Sequence, residues 1–290
     1  MIFTIANEWI KLSVNSRGAE PMSIQSAKDG LEYLWQGDPK YWARRSPTLF
    51  PIVGLLNNNK YWYDGKEYEL ELHGFAKTSE FELVEKSFDS VVFKLVANED
   101  TLKKYPFQFE LYTSYQLKEN AVLIGHRVIN RGKGLIWFSI GGHPGFSCSL
   151  FEGETMEDYS LVFEQEEVVN RRFLEAGLLN CQAEIFLDHQ KEIKLSYELF
   201  QKLAIILQGL KSKSVTLKSL KHNRRVTVMF EGYPYLGIWS PKTRAPFVCI
   251  EPWYGIASLK GCRDELSKKE GMITLGPGRE FNCSYSIILE

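Results

Sequence analysis

No window of this sequence approaches eighteen consecutive apolar residues, so no apolar helix long enough to cross a bilayer is expected. The opening stretch, residues 1–14, lacks a basic n-region, and its apolar residues alternate with polar ones; a first strand is expected there, not a secretory leader. Cysteine is scarce. The five (Cys148, Cys181, Cys249, Cys262 and Cys283) are an odd number without a CxxC pair, which excludes a disulfide framework and fits reduced thiols in a cytoplasmic protein. An excess of one charge is missing as well: 35 Lys and Arg stand against 36 Asp and Glu, leaving no general attraction to phosphate backbones and no expectation of a nucleic-acid partner. Also absent are a GxGxxG turn, a GxSxG elbow and an HExxH helix. The run Gly209 to Ser214 lacks the first glycine and the Gly-Lys-Ser order of a phosphate loop.

What the chain does have is period-2 alternation almost from end to end. Phe107, Phe109, Leu111, Thr113, Tyr115 and Leu117 share one strand face, and Val122, Ile124, His126 and Val128 share the next, with Glu119-Asn120 as the turn. Asp64-Gly65 joins two further runs in the dipeptide that a two-residue turn with positive φ prefers. Further strands are expected at 10–14, 91–96, 159–163, 215–217, 226–230, 235–239, 247–250 and 285–289. Helical signals are few: Asp100 is placed to cap a turn reaching Tyr105, and 197–202 suits another. Neither can serve as a crossover. A dozen or more strands, 13% aromatic content and closely spaced turns predict an all-β, large antiparallel sandwich. Without a linker or clear internal repeat, residues 1–290 read as one domain. The six basic residues between Leu210 and Phe230 flank alternating Val215, Leu217, Val226 and Val228, the pattern of a solvated hairpin face.

Five histidines are few enough to weigh singly. His189 and His222 lie in polar, turn-like contexts that suit exposure, and His126 sits on an apolar strand face where a core histidine is expected. His73 and His143 differ. Each ends a strand-like run and precedes Gly or Pro, in Leu72-His73-Gly74-Phe75 and Gly142-His143-Pro144-Gly145-Phe146, where the scaffold can fix a side chain that still reaches a ligand. Glu251 is the third unusual position, a carboxylate at the exit of the apolar run 247–250 with Trp253 and Tyr254 beside it. Partial desolvation there raises a carboxylate toward the general-base range. No ligand set with metal spacing is visible among His73, His143, Glu251 and the cysteines.

Six ordered motifs now accumulate. They are Trp42-Ala43-Arg44-Arg45-Ser46-Pro47-Thr48-Leu49-Phe50-Pro51-Ile52-Val53-Gly54, Asp64-Gly65-Lys66, His73-Gly74-Phe75-Ala76, Asn130, Gly142-His143-Pro144-Gly145-Phe146 and Cys249-Ile250-Glu251-Pro252-Trp253. Together they resemble the aldose 1-epimerase (galactose mutarotase-like) family, and within it the LacX-like branch. The resemblance spans about residues 10–281 and implies a large antiparallel β-supersandwich with an open sugar cleft. It implies that Glu251 takes the proton of the anomeric hydroxyl, that His143 protonates the ring oxygen, and that His73 contacts the sugar nearby. No metal or redox cofactor is implied. Leu55 stands where the family often has a basic residue, and Ser258 where it commonly has an aspartate.

The chemistry is coherent without the analogy, because ring opening needs one group to accept and one to donate a proton, and Glu and His differ enough in reference pKa to divide the roles. The expectation is a cytoplasmic, cofactor-independent isomerase interconverting α and β anomers of an aldohexose or its phosphate. Its partner is a small-molecule sugar, with no nucleic acid and no membrane, and it acts as a monomer or homodimer. Arg44 or Arg45 positions the sugar, and Trp253 or Phe75 forms an apolar wall under the ring. With Leu55 removing a second cation, a neutral hexose is expected to be processed at least as well as its 6-phosphate. A non-catalytic sugar-binding protein on the same scaffold is the alternative. A lyase or hydrolase fits less well, since a hydrolase needs two spaced carboxylates and Glu251 stands alone.

Overall fold

The computed structural model describes residues 1–290. Period-2 alternation is realised in a 15-stranded sheet whose central strands present one face to the core. From one edge it runs Thr48–Leu49, Ile140–Gly142, Phe247–Tyr254, Tyr235–Trp239, Ile205–Gln208, Tyr159–Glu175, Ser214–Ser219, Arg225–Met229, Glu280–Leu289, Ala121–Asn130, Phe109–Lys118, Ser90–Val96 and Glu82–Lys86. Gly145–Ser147 and Leu178–Lys194 pair off this path, and all pairings are antiparallel. A three-stranded sheet, Ile2–Ala6, Ile10–Asn15 and Glu20–Ser26, and two small ribbons accompany it. This is the large antiparallel β-supersandwich expected from the strand count.

One cluster of 59 buried residues fills the interior. Its aromatic centre brings Phe50 within 5.0 Å of Phe109 and 5.8 Å of Phe138, ring centre to ring centre. Phe75 belongs to this centre, 6.0 Å from Phe109. Such tilted and edge-on pairs add roughly 0.5–1.5 kcal/mol each beyond the burial of their area. The Asp64-Gly65 turn forms as predicted, with φ of 49° and 72°.

Three local expectations change. The short helix spans Glu99–Lys104 and is capped by Asn98, not Asp100, because the Asn98 side-chain oxygen Oδ1 accepts the N–H groups of Asp100 and Thr101 at 3.0 Å each. The strand expected at 159–163 continues to Glu175 and returns as Leu178–Lys194, making a long hairpin. Beyond Phe163 the first strand buries Glu167, Val169 and Arg171, two of them charged, and its partner is exposed along most of its length, so the apolar alternation that marks a half-buried strand is missing from their sequence. The strand expected at 247–250 runs on through Tyr254, placing Glu251 inside it and not at its exit.

Candidate active site

Strand Phe247–Tyr254 is buried over nearly its whole length, and its two faces divide labour. Val248 and Ile250 enter the main core, while Phe247 and Cys249 pack with Trp35 and Ala245 in a separate cluster on the opposite face. Continuing that second face, Glu251 and Trp253 line a cavity of about 420 Å³. The cross-strand partners of Glu251 and Trp253 include Gly237 and Gly141. A Cβ on Gly237 would lie 2.5 Å from the Trp253 ring, so only glycine lets the indole lie flat over that neighbouring strand.

His143 reaches the same cavity from the break between Ile140–Gly142 and Gly145–Ser147. Its Nε2 lies 3.1 Å from Glu251 Oε2, and both residues are buried, at 8% and 1% exposure. The imidazole stacks on Trp42 at 4.9 Å and meets Trp239 edge-on at 5.7 Å. Burial holds the Glu251 carboxyl well above the ordinary carboxylate range, slightly opposed by Trp253, and the same burial pushes the His143 imidazolium far below its usual value. Burial thus favours the proton-bound carboxyl and the proton-free imidazole, so the pair holds one acidic proton between them.

His73 completes the group from a turn where its backbone φ is 63°. Gly74, at φ 69°, follows with no room for a side chain, since a Cβ there would sit 2.4 Å from the Phe50 carbonyl oxygen. The Gly54 N–H donates to His73 Nδ1 at 3.1 Å. A ring nitrogen that accepts is unprotonated, which leaves Nε2 to carry the proton as a donor. Burial, then the neighbouring His143 and Lys77, keep His73 well below its ordinary pKa. Its ring lies 5.5 Å from that of His143 and 6.5 Å from that of Trp253.

Glu251, His143, His73, Arg44 and Trp253 thus meet on one cavity wall. Two further candidates do not. Arg45 turns its guanidinium toward Gly37, while its backbone N–H donates to Glu20 at 2.8 Å. Phe75 is locked among Phe50, Tyr105 and Phe109 and is core, not wall. Of the two neighbouring arginines, Arg44 therefore lines the cavity and Arg45 does not. His222, expected in solvent, sets Nε2 3.0 Å from the covered Glu154 side chain, and its Nδ1 accepts from the Arg224 N–H. His126 is a core residue 3.3 Å from the Thr113 hydroxyl.

The expectation of no convergent metal ligands needs correcting too. Donor atoms of His143, Cys249 and Glu251 all lie within 4.8 Å of one another. Cys249 and Glu251 share a strand face at a spacing of two, and His143 is more than a hundred positions away, so no local motif announces the trio. Burial, the dominant cause, pushes the Cys249 thiol well above its usual pKa, which opposes the thiolate that a metal requires.

Several cavity residues escaped the sequence analysis. Trp42 and Trp239 flank His143, and Lys77 stands beside Arg44. Trp42 lay within a quoted motif, and Lys77 directly follows His73-Gly74-Phe75-Ala76, so proximity was the available signal. The tip of the long hairpin adds Leu174 and Gly177, and nearby Leu203, Ala204 and Ile206 extend this apolar side. The Leu179 N–H donates to the Ser258 carbonyl at 2.8 Å, and the Ser258 N–H donates to the Leu55 carbonyl at 2.9 Å. The Leu55 side chain lies directly under Gly177, 3.2 Å from where a Cβ would be. Leu55 and Ser258, the two positions that depart from the family pattern, therefore seat the hairpin over the cavity.

The family model for aldose 1-epimerase matches residues 1–265. The plasmid-borne protein LacX of Lactococcus lactis subsp. lactis is 40% identical, with 100% of this chain and 99% of that protein covered. Among solved structures, a galactose mutarotase related enzyme from Lactobacillus acidophilus superposes with a TM-score of 0.96 at 36% identity, covering 100% and 97% of the two chains. A galactose mutarotase-like protein from Lactobacillus casei gives 0.94 at 31% identity, with both chains fully covered. This chain belongs to the aldose 1-epimerase family.

Proposed function

We propose that this protein interconverts the α and β anomers of an aldohexose, free or phosphorylated, by cofactor-independent acid–base ring opening. The observation that supports it most directly is the His143 Nε2 to Glu251 Oε2 approach of 3.1 Å on the wall of a cavity of about 420 Å³. The anomeric hydroxyl and the ring oxygen share one carbon, so the groups that serve them must stand side by side, as these do. Moving the pair's proton from Glu251 to His143 creates the carboxylate base and the imidazolium acid together, without importing net charge into a buried space. Glu251 then accepts the hydroxyl proton while His143 protonates the ring oxygen. The hemiacetal opens, its anomeric end rotates, and the reverse transfers close the ring on the other face. His73 donates to a sugar oxygen through Nε2, Arg44 orients hydroxyl groups, and Trp253 supplies the apolar surface beneath the ring.

The test is NMR exchange spectroscopy on glucose, galactose and their 6-phosphates, at enzyme levels where spontaneous mutarotation is slow by comparison. Accelerated α–β exchange that disappears in Glu251→Gln is expected. Sugar binding without exchange would make the protein a sugar-binding member of its family and overturn the catalytic assignment.

A further inference from the structure

The cavity is unusual for a site that receives a polyhydroxylated ligand. None of its eighteen lining residues carries a hydroxyl or carboxamide side chain, and Glu251 is its one carboxylate. Apart from the indoles, the remaining polar side chains are two histidines and two cations, Arg44 and Lys77. Recognition of a neutral sugar rim by neutral donors and acceptors is therefore poorly provided for, whereas recognition of an oxyanion is not.

The two cations are differently engaged. Arg44 uses Nη1 to reach Glu20 at 3.2 Å and the Lys77 carbonyl at 3.0 Å, and its other N–H groups have no protein partner. Glu20 is buried and also accepts the N–H groups of Arg45 and Ser46, so it anchors this segment and balances one positive charge. Lys77 has no carboxylate within ion-pair distance. Its ammonium donates to the carbonyls of Leu72 and Gly74, the latter at 3.1 Å. An ammonium has three donors, so one remains. Burial, reinforced by Arg44 and partly offset by Glu71, pushes the Lys77 amine down to about 8, the mark of a cation short of counter-charge. A desolvated charge without a partner is costly, and a ligand oxyanion is the natural complement.

We propose that Lys77 and Arg44 form an oxyanion-binding subsite inside the catalytic cavity, so that the substrate is an aldose bearing a phosphate or carboxylate group. This rests on the anomerase function proposed above. It reverses the expectation of a neutral hexose, which assumed that Leu55 left Arg44 without a second cation; Lys77, from a different segment, lines the same cavity beside Arg44. Lys77 Nζ also ties down the turn carrying His73, so the test must separate ligand binding from loop positioning.

The experiment measures kcat/KM for anomer exchange of glucose, glucose 6-phosphate and glucuronate in the wild type, Lys77→Gln and Lys77→Arg. A charge-assisted contact predicts an anionic-to-neutral ratio of roughly 10-fold or more in the wild type, reduced about 10-fold by Lys77→Gln and largely kept by Lys77→Arg. Whichever of the 6-phosphate and the glucuronate is preferred identifies the anion. Equal use of neutral and anionic sugars, or a ratio unaltered by Lys77→Gln, overturns the subsite. If no sugar is exchanged, the anomerase function fails, and calorimetric binding of glucose 6-phosphate decides the subsite separately: Lys77-dependent binding upholds it and its absence overturns it.

Discussion

Glu251 and His143 show how burial sets protonation at the scale of single residues. Burial favours the proton-bound form of the carboxyl and the proton-free form of the imidazole, so their contributions to stability run in opposite senses with pH. For Glu251 the folded pKa is raised: its stabilising contribution is complete below the ordinary carboxylate range and is lost as pH climbs toward the raised value. Glu251→Gln should therefore lower turnover by on the order of 10²- to 10⁴-fold, yet raise the melting temperature at pH 8 by about 2–4 °C. Falling stability together with retained activity would remove Glu251 from the mechanism. His143→Asn should depress turnover to a similar extent. His126 supplies the contrast. Burial pushes it down to about 4, so its contribution is complete above the ordinary histidine range and is lost as pH falls from there through about 4. His126→Asn should leave exchange rates within about 2-fold while lowering the melting temperature, measured in parallel with His143→Asn. Reversed outcomes for the two variants would mean that the wrong histidine has been assigned.

At the scale of elements, two backbone features hold the site together. The turn at 72–75 presents His73, and Gly74 is the residue that lets it pass close to the Phe50 carbonyl. Gly74→Ala forces the contact apart in a left-handed conformation and should lose roughly 2 kcal/mol or more of stability, read by urea denaturation, together with His73-dependent turnover. The hairpin of Tyr159–Glu175 and Leu178–Lys194 covers the other side. Gly177, at φ 84°, faces Leu55, and Gly177→Val should crowd that seat and raise KM by roughly 3- to 10-fold with a smaller change in kcat. An unchanged KM would show that the hairpin tip does not touch the sugar. The hairpin's extent was the part of the fold least legible beforehand. Strands such as Phe109–Lys118 bury alternate residues and reveal themselves, whereas Leu178–Lys194 is exposed along most of its length and carries no such period.

For the molecule as a whole, proton transfer within the His143–Glu251 pair needs no metal, and dialysis against EDTA should leave exchange activity unchanged. A loss restored by one divalent ion would contradict the mechanism and turn attention to the His143, Cys249 and Glu251 donors. Composition, alternation and turn chemistry were enough to determine an antiparallel all-β chain, because each depends on neighbours a few positions apart. The ordered motifs were enough to nominate Glu251, His143, His73 and Arg44. Tertiary structure alone decided that Phe75 is core, that Arg45 points away, and that Lys77, Trp239 and the hairpin tip enclose the same cavity. The physical reason is that direction and company are properties of space: a side chain's partner across a sheet or under a distant hairpin leaves no periodic trace along the chain.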